Sequence, residues 1–162
     1  MVWPTHNIIW QHIAECPEHI PQLACWFQDE WGLSDRECTL ETRCEELKAK
    51  TDKNSLPLTM VAISQGELLG TYSLDLTDLD IRPNLSPWLA SVFVNPKYRH
   101  KGIGTLLVKE SLQHAESLGL GILYLYTKSS RASWYASMGW QTIEELFYRD
   151  EDLTIMRFTG AI

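Results

Sequence analysis

Apolar positions along this chain recur with two periods, near 3.6 and near 2, and the changes of period mark its elements. "HNIIWQHIA" reads as a first strand. In "CPEHIPQLACWFQDEW", Ile20, Leu23, Ala24, Phe27 and Trp31 fall at helical spacing. Pro17 suits the first turn of that helix and Gly32 fits just past its end. "SDRECTLETRCEELKAK" can form a second helix with Ser34 or Asp35 as its cap, and "DKNSLP" is a loop. "LTMVAIS" and "ELLGTYSLDL" read as strands joined by "QG", a hairpin. The polar "TDLDIRPNLSP" is a loop leading into "WLASVFV", a strand apolar enough for burial on both faces at a sheet centre.

The clearest helix spans residues 102–118, with Ile103, Leu106, Leu107, Leu112, Ala115 and Leu118 on its apolar face and Gly119 and Gly121 at its end. "ILYLYT" is the next strand. The strand, helix, strand order implies a right-handed crossover and parallel pairing. A short helix over "RASWYASM" and Gly139 follow; "WQTIEELFYR" and "LTIMRFT", joined at "DED", close the chain as a hairpin. The order βααβββαβαββ predicts an α/β fold with a mixed sheet. No repeat or linker interrupts it, so residues 1–162 are expected to form one domain.

Composition narrows the classes. The chain is 44% hydrophobic and 22% charged, as a globular protein should be, and its longest apolar runs are too short to span a bilayer. The start "MVWPTHNIIW" lacks a cationic stretch followed by an apolar one, so no signal peptide and a cytoplasmic location are expected. Cysteines at 16, 25, 38 and 44 form no CxxC pair, and no His or Cys spacing suggests zinc. No metal is expected, and the thiols read as reduced and mostly packed; a Cys16–Cys25 or Cys38–Cys44 disulfide has no support. The net charge of −7 argues against a nucleic-acid partner and is compatible with a cationic substrate, though solubility explains it equally well.

Against that acidic background, "NPKYRHKGIGTLLV" places Lys97, Arg99, His100 and Lys101 just ahead of Gly102 and Gly104, where a buried strand hands over to a helix. Free N–H groups at a helix start carry the positive end of the macrodipole, and glycines let backbone approach a ligand closely. A phosphate or pyrophosphate is the natural guest. A P-loop would need GxxxxGK[ST], which is absent, and a dinucleotide fingerprint would need a third glycine where Leu107 stands.

What remains, Arg99-x-x-Gly102-x-Gly104 after "VFVNP", resembles the GNAT superfamily of acyl-CoA-dependent N-acetyltransferases. "SVFVNPKYRHKGIGTLLV" is similar to that family's cofactor-binding strand, loop and helix, and "WYASMGW" fills the place of its (F/W)Y-x-x-x-G-(F/W). The resemblance implies a mixed central sheet with helices on both faces. It implies acetyl-CoA as co-substrate: backbone of Phe93 and Val94 on the pantetheine arm, and Arg99, His100, Lys101, Gly102, Ile103, Gly104 and Thr105 around the pyrophosphate. It also implies direct acetyl transfer to an amine of a small molecule or peptide, with Tyr135 as the acid that protonates the thiolate.

The base is less defined. Where several relatives carry a glutamate on the central strand, this chain reads "PWLAS". Asp75, Asp80, Glu30 or a backbone-bound water could collect the proton; Asp80 is favoured because "DIRPNLSPW" enters the central strand directly. The regions that form the acceptor site in relatives carry Trp26, Trp31, Trp88, Trp134, Trp140 and Tyr148 beside Asp29, Glu30, Asp75, Asp78, Asp80, Glu144 and Glu145. Aromatics beside acids could receive a cationic amine, or could be core tryptophans and surface acids. A polyamine, an aminoglycoside, an amino acid and a peptide N-terminus all stay open as acceptors. A non-catalytic acyl-CoA-binding module is the alternative function, and a homodimer stays open because relatives are often dimers.

Overall fold

The structure is a computed structural model and describes residues 7–32 and 38–160. Its elements follow the expected order: β1 (Ile9–His12), α1 (Ile20–Trp31), α2 (Leu40–Ala49), β2 (Leu58–Ser64), β3 (Glu67–Asp75), β4 (Trp88–Val94), α3 (Ile103–Ser117), β5 (Ile122–Lys128), α4 (Ala132–Ala136), β6 (Gln141–Tyr148) and β7 (Glu151–Thr159). The strands form one seven-stranded sheet in the order β1-β2-β3-β4-β5-β7-β6. The β4–β5 pair is parallel and the others are antiparallel. This is the expected α/β fold with a mixed sheet. Among the described residues no helix is long and apolar enough to cross a membrane.

Helices cover both faces, which is why β2 is buried at every position. Met60 and Ala62 point to the face packed by Ile103, Leu107, Val108, Leu112 and Ala115 of α3. Val61 and Ile63 point to the other, packed by Ile20, Leu23, Ala24 and Phe27 of α1 and Leu47 of α2. The alternation of strand side chains thus feeds two separate cores from one strand. Gly70 lets α3 settle onto the sheet: a Cβ there would lie 2.7 Å from the Phe93 carbonyl oxygen and 2.8 Å from Leu107 Cδ1.

Some boundaries differ from the pattern. Pro17 opens a 3-10 turn, Pro17–His19, and α1 starts after it at Ile20. Thr39 caps α2 by accepting from the Thr42 N–H at 3.1 Å; Ser34 and Asp35, the expected caps, lie outside the described residues. The closing hairpin turns at Arg149 and Asp150, both left-handed, so Glu151 and Asp152 belong to β7 and not to the turn. All four thiols are free, as expected, but only Cys16 is buried and Cys25 is exposed. Burial is therefore not the general fate of these cysteines.

His12 is 1% exposed. Its Nδ1 accepts from the Ala14 N–H at 3.0 Å, which puts the neutral ring's proton on Nε2, a buried atom without a partner. Burial lowers its pKa, and Lys50 and His114 add to that while Glu15 and Asp52 oppose it. The unfolded chain then binds a proton below about pH 6.5 that the folded chain refuses, so stability falls as pH drops through that range. His12→Asn keeps a capping acceptor and removes the titration. Urea midpoints measured at pH 7.0 and 5.5 should show a smaller acid loss in this variant than in the parent.

Candidate active site

β4 and β5 run side by side only at their start. They share one bridge, Trp88 with Tyr124, supported by the Tyr124 N–H donating to the Pro87 carbonyl at 2.9 Å. On its other edge β4 carries a bulge: Thr71 pairs with Phe93 but Ser73 with Ala90, so β4 uses one residue more than β3, and Ser91 is left-handed (φ 54°). Bulges bend a strand and increase its twist. Beyond the bridge a cleft of about 450 Å³ opens, walled by Leu89 to Val92 of β4 and Leu125 to Lys128 of β5. The sequence held no signal for the bulge, since serine is an ordinary strand residue.

The Asn95 N–H donates to Leu69 on β3 at 2.8 Å. Strand alternation then turns the backbone groups of Phe93 toward β3 and those of Val92 and Val94 toward the open edge. Of the two expected pantetheine contacts, Val94 turns its backbone toward the open edge and Phe93 turns its own toward β3. Its carbonyl accepts from Arg99 Nε at 3.3 Å, and the Arg99 guanidinium lies 5.1 Å from the Phe93 ring centre.

The glycine loop reaches α3 through two left-handed residues, His100 (φ 64°) and Gly102 (φ 83°). No side chain caps the helix, and the first intrahelical bond is made by the Leu106 N–H to Gly102 at 3.2 Å. The N–H groups of Ile103, Gly104 and Thr105 are thus the open donors of a helix start. The local charge is smaller than the sequence suggests. Lys97 pairs with Glu67 at 3.0 Å, and Tyr98 donates its hydroxyl to the same carboxylate. A Cβ at Gly104 would lie 3.3 Å from the Trp134 ring. Trp134 therefore belongs beside the loop, not among acceptor-site aromatics.

Tyr135, next on α4, lines the cleft and is itself 9% exposed. Its ring packs on Trp134 and Trp140, with centroids 4.7 and 6.2 Å away. Burial pushes its pKa up to about 12, with Arg131 opposing. The hydroxyl is therefore a donor at neutral pH.

Four carboxylates line the cleft, and three are engaged. Glu30 lies 3.8 Å from Arg131 and Glu151 lies 3.5 Å from Lys128. Asp80, the favoured base, accepts from the Tyr148 hydroxyl at 2.7 Å and from Arg149 at 3.2 Å. Asp78 has no hydrogen-bond or ion-pair partner among the described residues. Asp78 is an exposed residue that opens to the cleft. Lost hydration pushes it up to about 7, with repulsion from Asp75 adding and Lys50 opposing. Asp75 does not line the cleft; it pairs with Lys50 at 3.5 Å. The loop carrying Asp78 and Asp80 is pinned by buried Leu79, by the Arg82 fork on Glu144, and by Trp88 Nε1 donating to Leu85 at 2.7 Å.

Other expected acceptor-site residues separate. Trp31 and Tyr148 line the cleft, Trp88 and Trp140 are core, and Trp26 packs on Phe93 at 5.2 Å.

A sequence model described as the Acetyltransferase (GNAT) family matches residues 20–140. No curated protein sequence matches significantly. Similar solved structures include the ribosomal-protein-alanine N-acetyltransferase from Brucella melitensis, at 22% identity over 94% of this chain and 99% of that chain, with TM-score 0.73. An aminoglycoside 6'-N-acetyltransferase complexed with coenzyme A shares 18% identity over 93% and 96%, with TM-score 0.72. An acetyltransferase from Salmonella typhimurium with its cofactor acetyl-CoA shares 17% over 94% of each chain, with TM-score 0.71. At such identities these likenesses establish the fold.

Carbon-detected NMR should find Asp78 titrating with a midpoint near 7. Asp75→Asn, which removes a repulsive neighbour, should lower that midpoint, and Lys50→Met should raise it.

Proposed function

The chain belongs to the GNAT acetyltransferase family, and from that premise we propose that it transfers an acetyl group from acetyl-CoA directly to a primary amine. The observation that carries this reading is the divergence of β4 from β5 beside an uncapped helix start, with the Tyr135 side chain lining the gap. In this reading the donors from His100 to Thr105 hold the pyrophosphate, and Arg99 and Lys101 add positive potential. Outward backbone groups of Val92 and Val94 pair with the pantetheine arm. The thioester then lies along the cleft, with its sulfur toward Tyr135.

An amine like that of lysine has a pKa of about 10.4, so roughly one molecule in 10³ is neutral at pH 7. The neutral nitrogen attacks the thioester carbon, the C–S bond breaks, and the nitrogen loses a proton while sulfur becomes a thiolate. We assign the proton on nitrogen to Asp78 in place of Asp80, whose oxygens are already engaged. Raising a carboxylate from 3.8 to about 7 roughly halves the proton-affinity gap to such an amine. Tyr135, near 12, holds its proton more tightly than a thiol of about 8.5. Its hydroxyl therefore stabilises the departing thiolate as a hydrogen-bond donor, and the proton stays on the tyrosine. A central strand without a carboxylate in "PWLAS" favours a binding module, and a carboxylate supplied from the loop weakens that alternative.

Thiol release measured with acetyl-CoA and an amine panel tests the reading. Tyr135→Phe should cut kcat about 10²-fold with acetyl-CoA affinity kept. Asp78→Asn should cut kcat/KM by about 10²-fold or more and remove the inflection near pH 7 that lies on top of the steady rise from amine deprotonation, whereas Asp80→Asn should keep that inflection. Full activity in Asp78→Asn or Tyr135→Phe would remove that residue from the mechanism, whereas acetyl-CoA binding without thiol release for any amine would return the chain to the binding-module alternative. Gly104→Glu should abolish calorimetric acetyl-CoA binding, because its side chain meets Trp134 and sets a carboxylate beside the phosphates.

A further inference from the structure

We propose that the acceptor is an amine that also carries a carboxylate, an α-amino acid or a small derivative of one, with its nitrogen at Asp78 and its carboxylate on the Arg43 guanidinium. The inference rests on the acetyl-transfer reading and names the substrate class for that same cleft.

The argument is one of charge matching. The cleft is lined by four carboxylates and four cationic side chains. Three pairs cancel: Glu30 with Arg131, Asp80 with Arg149, and Glu151 with Lys128. One charge of each sign is left over, Asp78 on the β3–β4 loop and Arg43 on α2. Arg43 is held in place from α1, its Nε donating to Gln28 Oε1 at 2.8 Å. Gln28 in turn sits where Gly32 leaves room, since a Cβ at Gly32 would lie 2.8 Å from Gln28 Nε2. With Nε taken, Arg43 Nη2 is a buried donor without a partner among the described residues.

A guanidinium donor withdrawn from water and left unpaired is costly, and a carboxylate is the acceptor its planar fork fits best. A polyamine or an aminoglycoside would set further positive charge against Arg43. A simple monoamine would satisfy Asp78 and leave Arg43 as it stands. An acceptor bearing one charge of each sign completes both. Its size is limited too, because the cleft of about 450 Å³ must also admit the acyl end of the cofactor.

The test pairs each common α-amino acid with its α-amide and with its decarboxylated amine, in thiol-release assays with acetyl-CoA. At least one amino acid should exceed both counterparts about 10²-fold in kcat/KM, the usual penalty for leaving a buried polar partner unmatched being that large or larger. Arg43→Gln should erase the preference mainly through KM, and Arg43→Lys should restore part of it. If the amides or decarboxylated amines react as well as the acids, the carboxylate inference falls and acetyl transfer stands. Calorimetry with coenzyme A present separates the remaining cases. Amino-acid binding that depends on Arg43, without turnover of any amine, would keep the carboxylate subsite and sink the transfer reading. The absence of both turnover and binding for every amino acid would overturn the subsite.

Discussion

The unequal fate of the two edges of β4 governs this molecule. One edge stays paired with β3 from Trp88 to Val94, through a bulge; the other holds β5 at a single bridge and then parts from it. The bulge needs Ser91 in left-handed backbone, a conformation that costs a non-glycine residue about 1–3 kcal/mol. Burial offsets it: Trp88, the last residue before the strands diverge, is fully buried, with Leu89 and Ala90 nearly so. A strand so firmly held on one side can leave its other edge open. That open edge turns the backbone groups of Val92 and Val94 away from β3, which is where the proposed reading lays the pantetheine arm.

The charges of the cleft follow a similar logic of held and unheld. Three carboxylates are matched by cations that come from α4's approach, from β5 and from the closing turn. The pairs are partly exposed, so they add little to stability. Their effect is local: among the described residues that line the cleft they leave Asp78 and Arg43 without an ion-pair counterpart. The stiffness of the Asp78 loop comes from elsewhere, from buried Leu79, the Arg82 fork on Glu144 and the Trp88 indole.

Strands and helix faces were legible because the core-facing runs are dominated by apolar residues: β2 is buried throughout and β3 at all but its two ends, and α3 repeats its apolar face from Ile103 to Ala115. The glycine loop was legible because Gly102 and Gly104 sit at fixed spacing after an apolar strand. Partnerships were not legible. Lys97 reads as part of a cationic cluster until Glu67, 30 residues earlier, draws it away. Asp80, favoured from the sequence as the base, stands only two residues from Asp78. Only the fold brings Tyr148 and Arg149, 68 and 69 residues downstream, onto the first and leaves the second bare. Phe93 and Val94 likewise read alike, until the pairing of Asn95 with Leu69 decides which of them faces outward.

α2 draws these pieces together. Near its middle, Arg43 is tied to α1 through Gln28. Just past its end, Lys50 reaches into the sheet, donating to Thr59 at 2.8 Å and pairing with Asp75. Burial raises the pKa of Asp75 while Lys50 opposes the rise, and Asp75 is the charge that repels Asp78. One helix thus places the free guanidinium and, through Lys50 and Asp75, sets the proton affinity of the free carboxylate. A displacement of α2 would alter both ends of the proposed acceptor site together, so the anchoring of α2 at Gln28 and Thr59 is what couples acceptor binding to proton removal.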